Sequence, residues 1–209
     1  MTAVGLGFVE HRLAWSVTGR YGAWVARNNA VIRINDTLYL HAGIGPLYPA
    51  ASADALNAAV QAALKGRPDP ALADITTNEQ GPLWYRGLAM NAETAETAHL
   101  EALLARYGVR RIVVGHTKRA AMVLPRFGGR LIITDVAVPD GYPDPRAYLI
   151  EENGALFAMH RGARVAMGAD TCAYVAAIAA LDPADAPTRR LVPACGAPGA
   201  AAVAIGSGS

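Results

Sequence analysis

The chain has 209 residues, 53% of them apolar and 17% charged, with a formal net charge of +2. This is long enough to bury a core and too apolar for disorder. The near-neutral balance leaves no basic stripe for nucleic acid or an acidic membrane, since pairs such as Arg110-Arg111 and Lys118-Arg119 are short and scattered.

In chain order, residues 1–17 read as an irregular N-terminal segment without the basic-then-apolar build of a signal peptide. "AVIRINDTLYLHAG", starting at Ala30, reads as two β runs joined by Asn35-Asp36, a pair that tolerates positive φ. Ser52 caps a helix with Leu56, Val60 and Leu64 on one face, Lys65 in its last turn and Gly66 as its stop. Residues 67–82 form a Pro-rich polar loop. A second helix is predicted over 91–107, with Glu93 and Glu96 near its start, Leu100, Leu103, Leu104 and Tyr107 on one side and Gly108 after it. Then come the buried strand "RRIVVGHT" and the β segments "MVLPRF" and "LIITDVAV". "AYLIEENGALFAMHRG" is a hairpin turning on Asn153-Gly154. "CAYVAAIAAL" reads as a short Ala-rich helix, too short to cross a membrane. Residues 183–209, rich in Ala, Pro and Gly, are expected to be a mobile tail after a body spanning 18–182. Helices alternating with strands, with hairpins at both ends, imply an α/β fold of layered sheets flanked by helices.

Two features of this pattern point to chemistry. His41 and His116 each stand where an apolar run ends, in "TLYLHAGIGP" and "VVGHTKRA". Strand ends in layered α/β folds are where loops converge on a crevice, and imidazole is both a metal ligand and a proton carrier near neutral pH. For either histidine alone, satisfying a backbone carbonyl is the commoner explanation. His11, His99 and His160 have no comparable context and are expected to be structural. The third candidate is Arg86 in "GPLWYRGLA", a fork suited to phosphate or carboxylate, or else a guanidinium stacked on Trp84 or Tyr85. The two cysteines, Cys172 and Cys195, lie outside any C-x-x-C unit and fit a disulfide or two free thiols equally.

Taken in order, "LYLHAGIGP", "GPLWYRG", "RRIVVGHT", "GGRLIITDVAV" and the closing hairpin resemble the second half of a calcineurin-like metallophosphoesterase, akin to the bacterial phosphoprotein-phosphatase type (the Shewanella-like group) and the diadenosine tetraphosphatases, and the approach from Thr18 resembles the family's helix and hairpin. The resemblance covers residues 18–162 and implies a layered β-sandwich lacking its N-terminal half. It implies two divalent ions (Mn, Fe or Zn), with His41 and His116 as ligands of one and Arg86 holding phosphoryl oxygens. Its substrates would be phosphorylated proteins or small molecules, with no nucleic-acid or membrane partner and the cytoplasm as default compartment.

Departures from the family pattern are as informative. Ala42 and Ala137 replace glycines of the "HGG" and Asp-x-Gly motifs. The earlier carboxylate motifs, which hold most of the metal ligands, the bridging Asp and the general acid, occur nowhere in the chain. Two neutral imidazoles cannot fill a metal's shell or offset its charge. The isolated chain is therefore expected to be inactive, with open sheet edges that favour oligomers. The competing expectations are a non-catalytic phosphatase-like interaction module and an unrelated α/β binding domain.

Overall fold

The structure, a computed structural model, describes residues 5–48, 50–72, 74–136, 147–184 and 186–195. Strands β1 (Val31–Ile34) and β2 (Thr37–Leu40) form the expected hairpin, with Asn35 at φ +54°. From β2 the chain crosses over through α3 (Ala53–Leu64), the single-turn α4 (Gly87–Met90) and α5 (Glu93–Tyr107). It returns as β3 (Arg111–Val114), parallel to β2, since a parallel neighbour requires a long, usually helical connection. Strand β5 (Leu131–Ile133) lies parallel to β3, and β4 (Leu124–Arg126) closes the far edge antiparallel to β5. The order is β1-β2-β3-β5-β4.

The capping signals are realised: Ser52 Oγ accepts the Ala55 N–H at 3.1 Å at the start of α3, and Gly108 ends α5 in the left-handed region at φ +60°. One face of the sheet presents Leu38, Leu40, Ile112, Val114, Leu131 and Ile133. All are buried in one core with Leu56 of α3 and Leu100 and Leu103 of α5. Each such side chain contributes about 1.5–3 kcal/mol of burial.

The other face looks toward a second, antiparallel sheet of β6 (Ala147–Glu152), β7 (Ala155–His160) and β8 (Ala163–Ala166). Glu151 of β6 ties the sheets together, accepting from Thr37 Oγ1 at 3.2 Å, Tyr39 OH at 2.8 Å and Arg111 Nη1 at 2.9 Å. The β6–β7 turn has Asn153 and Gly154 at φ +51° and +78°, as the sequence predicts. Strand β8 follows a second turn of the same kind, with Arg161 and Gly162 at +50° and +81°. The sequence gives no warning of it, because arginine is not a residue that signals positive φ.

Two expectations at the ends need correction. The segment 1–17 carries a helix, α1 (Phe8–Ala14), and α2 (Arg20–Val25) follows it. Neither has a capping side chain to announce it, and α1 buries none of its residues. After α6 (Thr171–Leu181), capped by Asp170, the expected tail begins with another helix, α7 (Ala186–Cys195). The remainder, 196–209, lies outside the described residues. Cys172 is disulfide-bonded, which resolves the open alternative for that residue. No helix among the described residues is long and apolar enough to cross a membrane.

Candidate active site

Parallel pairing of β2 with β3 builds the site. Leu40 and Val114 are in register, so His41 and Gly115 follow side by side, and the Gly115 N–H donates to the His41 carbonyl at 2.8 Å. His116 then turns the chain at φ +62°. The left-handed region tolerates His better than most residues but still costs about 1 kcal/mol. The turn aims Nδ1 of His116 at Nε2 of His41, 2.9 Å away. Trp84 meets the His116 ring edge-on, with centroids 5.4 Å apart.

The loop that carries Arg86 is fastened to the same strand end. Ala42 N–H donates to the Pro82 carbonyl at 3.0 Å and Gly45 N–H to the Gln80 carbonyl at 2.9 Å. A Cβ on Gly43 would lie 2.9 Å from the Tyr85 carbonyl, closer than real Cβ contacts, which explains the glycine there. The methyl of Ala42, the departure from "HGG", is itself buried. The other departure, Ala137, lies outside the described residues. Tyr85, next to Arg86, is buried and donates to Glu96 Oε1 at 2.9 Å, and burial first and Glu96 second raise its pKa. Arg86 itself is exposed. Its Nη1 donates to the His116 carbonyl at 2.9 Å and to Thr117 Oγ1 at 3.2 Å.

The three residues singled out from the sequence thus share one rim. The other histidines stand apart: His99 Nε2 pairs with the Ile44 carbonyl at 2.7 Å, His160 is buried 3.7 Å from Asp182, and His11 is exposed on α1. Sequence reading missed the roles of Trp84, which positions the His116 ring, and Thr117, which helps hold Arg86. Both sit inside motifs already noted, but nothing in their spacing distinguishes positioning from packing.

Burial, then the charges of Arg86 and His41, push the His116 imidazole below its usual pKa, with Asp135 pulling weakly the other way. The ring is therefore neutral at pH 7, the form that can donate a lone pair. Its Nε2 is buried with no hydrogen-bond partner among the described residues. With metal–nitrogen bonds of about 2.0–2.1 Å, two imidazoles on one ion would have nitrogens about 3.3 Å apart at a tetrahedral angle and about 2.9 Å apart at a right angle. The observed 2.9 Å lies at the short end for a shared ion and is an ordinary hydrogen-bond length when one ring carries the proton. Among the described residues, no group of three or more His, Cys, Asp or Glu could hold a metal. The pair therefore fits two corners of a metal site and does not complete one.

No family model matches the chain. Among curated proteins, an uncharacterized protein of Schizosaccharomyces pombe is 33% identical over 70 residues, covering 34% of this chain and 21% of that protein. Among solved structures, the cold-active protein-tyrosine phosphatase of the psychrophile Shewanella sp. is 30% identical with a TM-score of 0.63, covering 73% of this chain and 46% of that one. A point mutant of a cold-active protein tyrosine phosphatase gives 29% identity and a TM-score of 0.62 at the same coverage. The chain thus spans about half the length of these solved structures. Over the part that aligns, its mixed sheet, antiparallel second sheet and surrounding helices have the fold of these phosphatases.

Proposed function

We propose that this chain carries one half of a metal-dependent phosphoesterase site and acts on phosphorylated substrates only when the other half is present. The observation that carries the proposal is the contact between His41 Nε2 and His116 Nδ1 at 2.9 Å, on a rim shared with Arg86. The likeness to protein tyrosine phosphatases at 29–30% identity supports the reaction class.

In this reading His41 and His116 hold one divalent ion (manganese, iron or zinc), which would polarise a phosphoryl oxygen. Arg86 is anchored through Nη1 to the His116 turn and offers the rest of its guanidinium to the phosphoryl oxygens as charge gathers on them. The half-buried, neutral His116 resists protonation and so stays available as a ligand near pH 7. In this reading the chain lacks the bridging carboxylate and the acid for the leaving group, since no group of three or more His, Cys, Asp or Glu among the described residues could hold a metal. Those groups belong to the portion of the fold that this chain does not span.

The test compares chain 1–209 with a version extended by the reading frame upstream of Met1, using p-nitrophenyl phosphate with manganese or zinc. The short chain should release no p-nitrophenol and the extended one should. In the extended protein Arg86→Ala should lower kcat/KM about a hundredfold, with Arg86→Lys restoring only part of it, because Lys lacks the fork. Activity from the short chain that disappears on His116→Ala would show that this chain completes the site by itself. Silence from both would favour a non-catalytic phosphatase-like module.

A further inference from the structure

The two sheets do not cover each other fully. On the sheet that carries the site, Ile32, Ile34, Thr37, Tyr39, Arg111, Val113 and Ile132 alternate onto the face toward the second sheet. Glu151 places β6 above β2 and β3, through Thr37, Tyr39 and Arg111. Strands β7 and β8 lie on the far side of β6, away from β1. Nothing among the described residues lies over β1, so Ile32 and Ile34 are 46% and 52% exposed. A groove of about 520 Å³ runs beside them, lined by Val25, Ala30, Ile32, Tyr39 and Leu64, and reaches His41.

The edge of β6 next to this bare face is also open. The two-residue turn at Asn153-Gly154 makes Glu152 and Ala155 a hydrogen-bonded pair, so Ile150 and Tyr148 also bond inward to β7. Ala147, Leu149 and Glu151 then point their N–H and C=O groups outward, and no described residue hydrogen-bonds to them. The β1 edge differs, because Asn57 of α3 closes its start: its Oδ1 accepts from Val31 N–H and its Nδ2 donates to the Val31 carbonyl, both at 2.8 Å.

We infer that the β6 edge and the bare β1 face dock a complementary polypeptide that adds strands to β6 and lays alternate apolar side chains on Ile32 and Ile34. This goes beyond the catalytic reading, because it assigns the surface where the complement sits and does not depend on what the assembled site does. Three observations fix the occupant as strand-bearing polypeptide. The surface pairs an open row of backbone groups with an apolar face one strand-width away, which is what a continuing sheet satisfies. The groove leads to His41, so strands seated there end beside the ligand pair. The solved phosphatases that share the fold are about twice the length this chain spans, leaving chain enough for those strands. A second copy does not fit. In β6-to-β6 pairing each copy's β1 projects beyond its own β6, so the two projecting edges would claim the same space.

The experiment mixes chain 1–209 with the part of the Shewanella phosphatase that it does not span, produced as a separate polypeptide, and follows residue-resolved amide exchange together with mass in solution. In the chain alone, the Leu149 and Glu151 amides should exchange at least tenfold faster than those of Tyr148 and Ile150. Adding the complement should give a one-to-one complex and slow Leu149 and Glu151 at least tenfold. The exposed-face variant Ile32→Asp/Ile34→Lys, expected to fold with an unchanged melting temperature, should weaken the complex at least tenfold. Protection of Leu149 and Glu151 in the chain alone would overturn the proposal, as would a self-associated species that the variant dissociates. Absence of a complex, or a complex that leaves the β6 amides fast, would overturn it too. A complex with these signatures but no phosphatase activity would uphold the docking surface and remove the catalytic reading instead.

Discussion

The two faces of the five-stranded sheet differ in completeness. The helix-covered face packs Leu38, Ile112, Leu131 and Ile133, each no more than 1% exposed, against α3 and α5. The opposite face is covered by the second sheet over β2, β3 and β5, held there by a carboxylate and an arginine, and among the described residues is bare over β1. One side of the chain is a finished core. The other is a sandwich that stops partway, and the candidate site lies at the strand ends between them. On the proposed reading, this is how a chain with a well-packed interior would carry one half of a site.

The sharpest way to break the comparison is to truncate both faces. Leu38→Ala should destabilise by about 3 kcal/mol, because it leaves a cavity in a core that cannot collapse around it. Ile34→Ala should change stability by no more than about 0.5 kcal/mol. Equal costs in urea unfolding would mean that the β1 face is covered after all.

The strained turn at the site gives the next largest effect. His116→Gly should be more stable than His116→Ala by about 1 kcal/mol, since only glycine adopts φ +62° without a Cβ penalty. Both variants should lose zinc binding as measured by calorimetry. Equal stabilities would show that the turn relaxes in solution.

Glu151, the tie between the sheets, can be probed through Tyr39. Burial first and Glu151 second raise the Tyr39 pKa to about 12. Because the folded pKa lies above the ordinary 10, the stabilising contribution is complete below about pH 10. It fades as pH rises toward 12, where the unfolded chain has already lost the proton. Glu151→Gln should lower the pKa seen by phenolate absorbance while leaving it above 10. No change would mean that the sheets are not joined there.

The smallest effect belongs to the exposed pair of Arg110 with Asp36, whose side chains are 70% and 31% exposed. Arg110→Ala should leave the urea midpoint nearly unchanged, with any small loss vanishing in high salt. A larger loss would show that this edge is less open to solvent than the exposures indicate.

Local signals decided much of the architecture. Asn35, Ser52, Gly108 and Asn153-Gly154 each impose a backbone state on their neighbours, so the β1–β2 and β6–β7 hairpins and the helices α3 and α5 could be read directly from the chain. The features without such signals went unread: α1 has no capping side chain, and β8 begins after an arginine in the left-handed region. His41 and His116 were legible as a pair only because both end apolar runs. Their 2.9 Å contact depends on β2 and β3 pairing in parallel and in register, a long-range choice no local preference encodes. The same holds for Arg86, whose fork is a local property while its anchor on the His116 turn is tertiary. The sequence by itself determined which side chains could do chemistry, because residue type and turn preference act over a few residues. Only the tertiary structure decided which of them meet and which face stays bare, because those depend on how strands far apart in the chain share backbone hydrogen bonds.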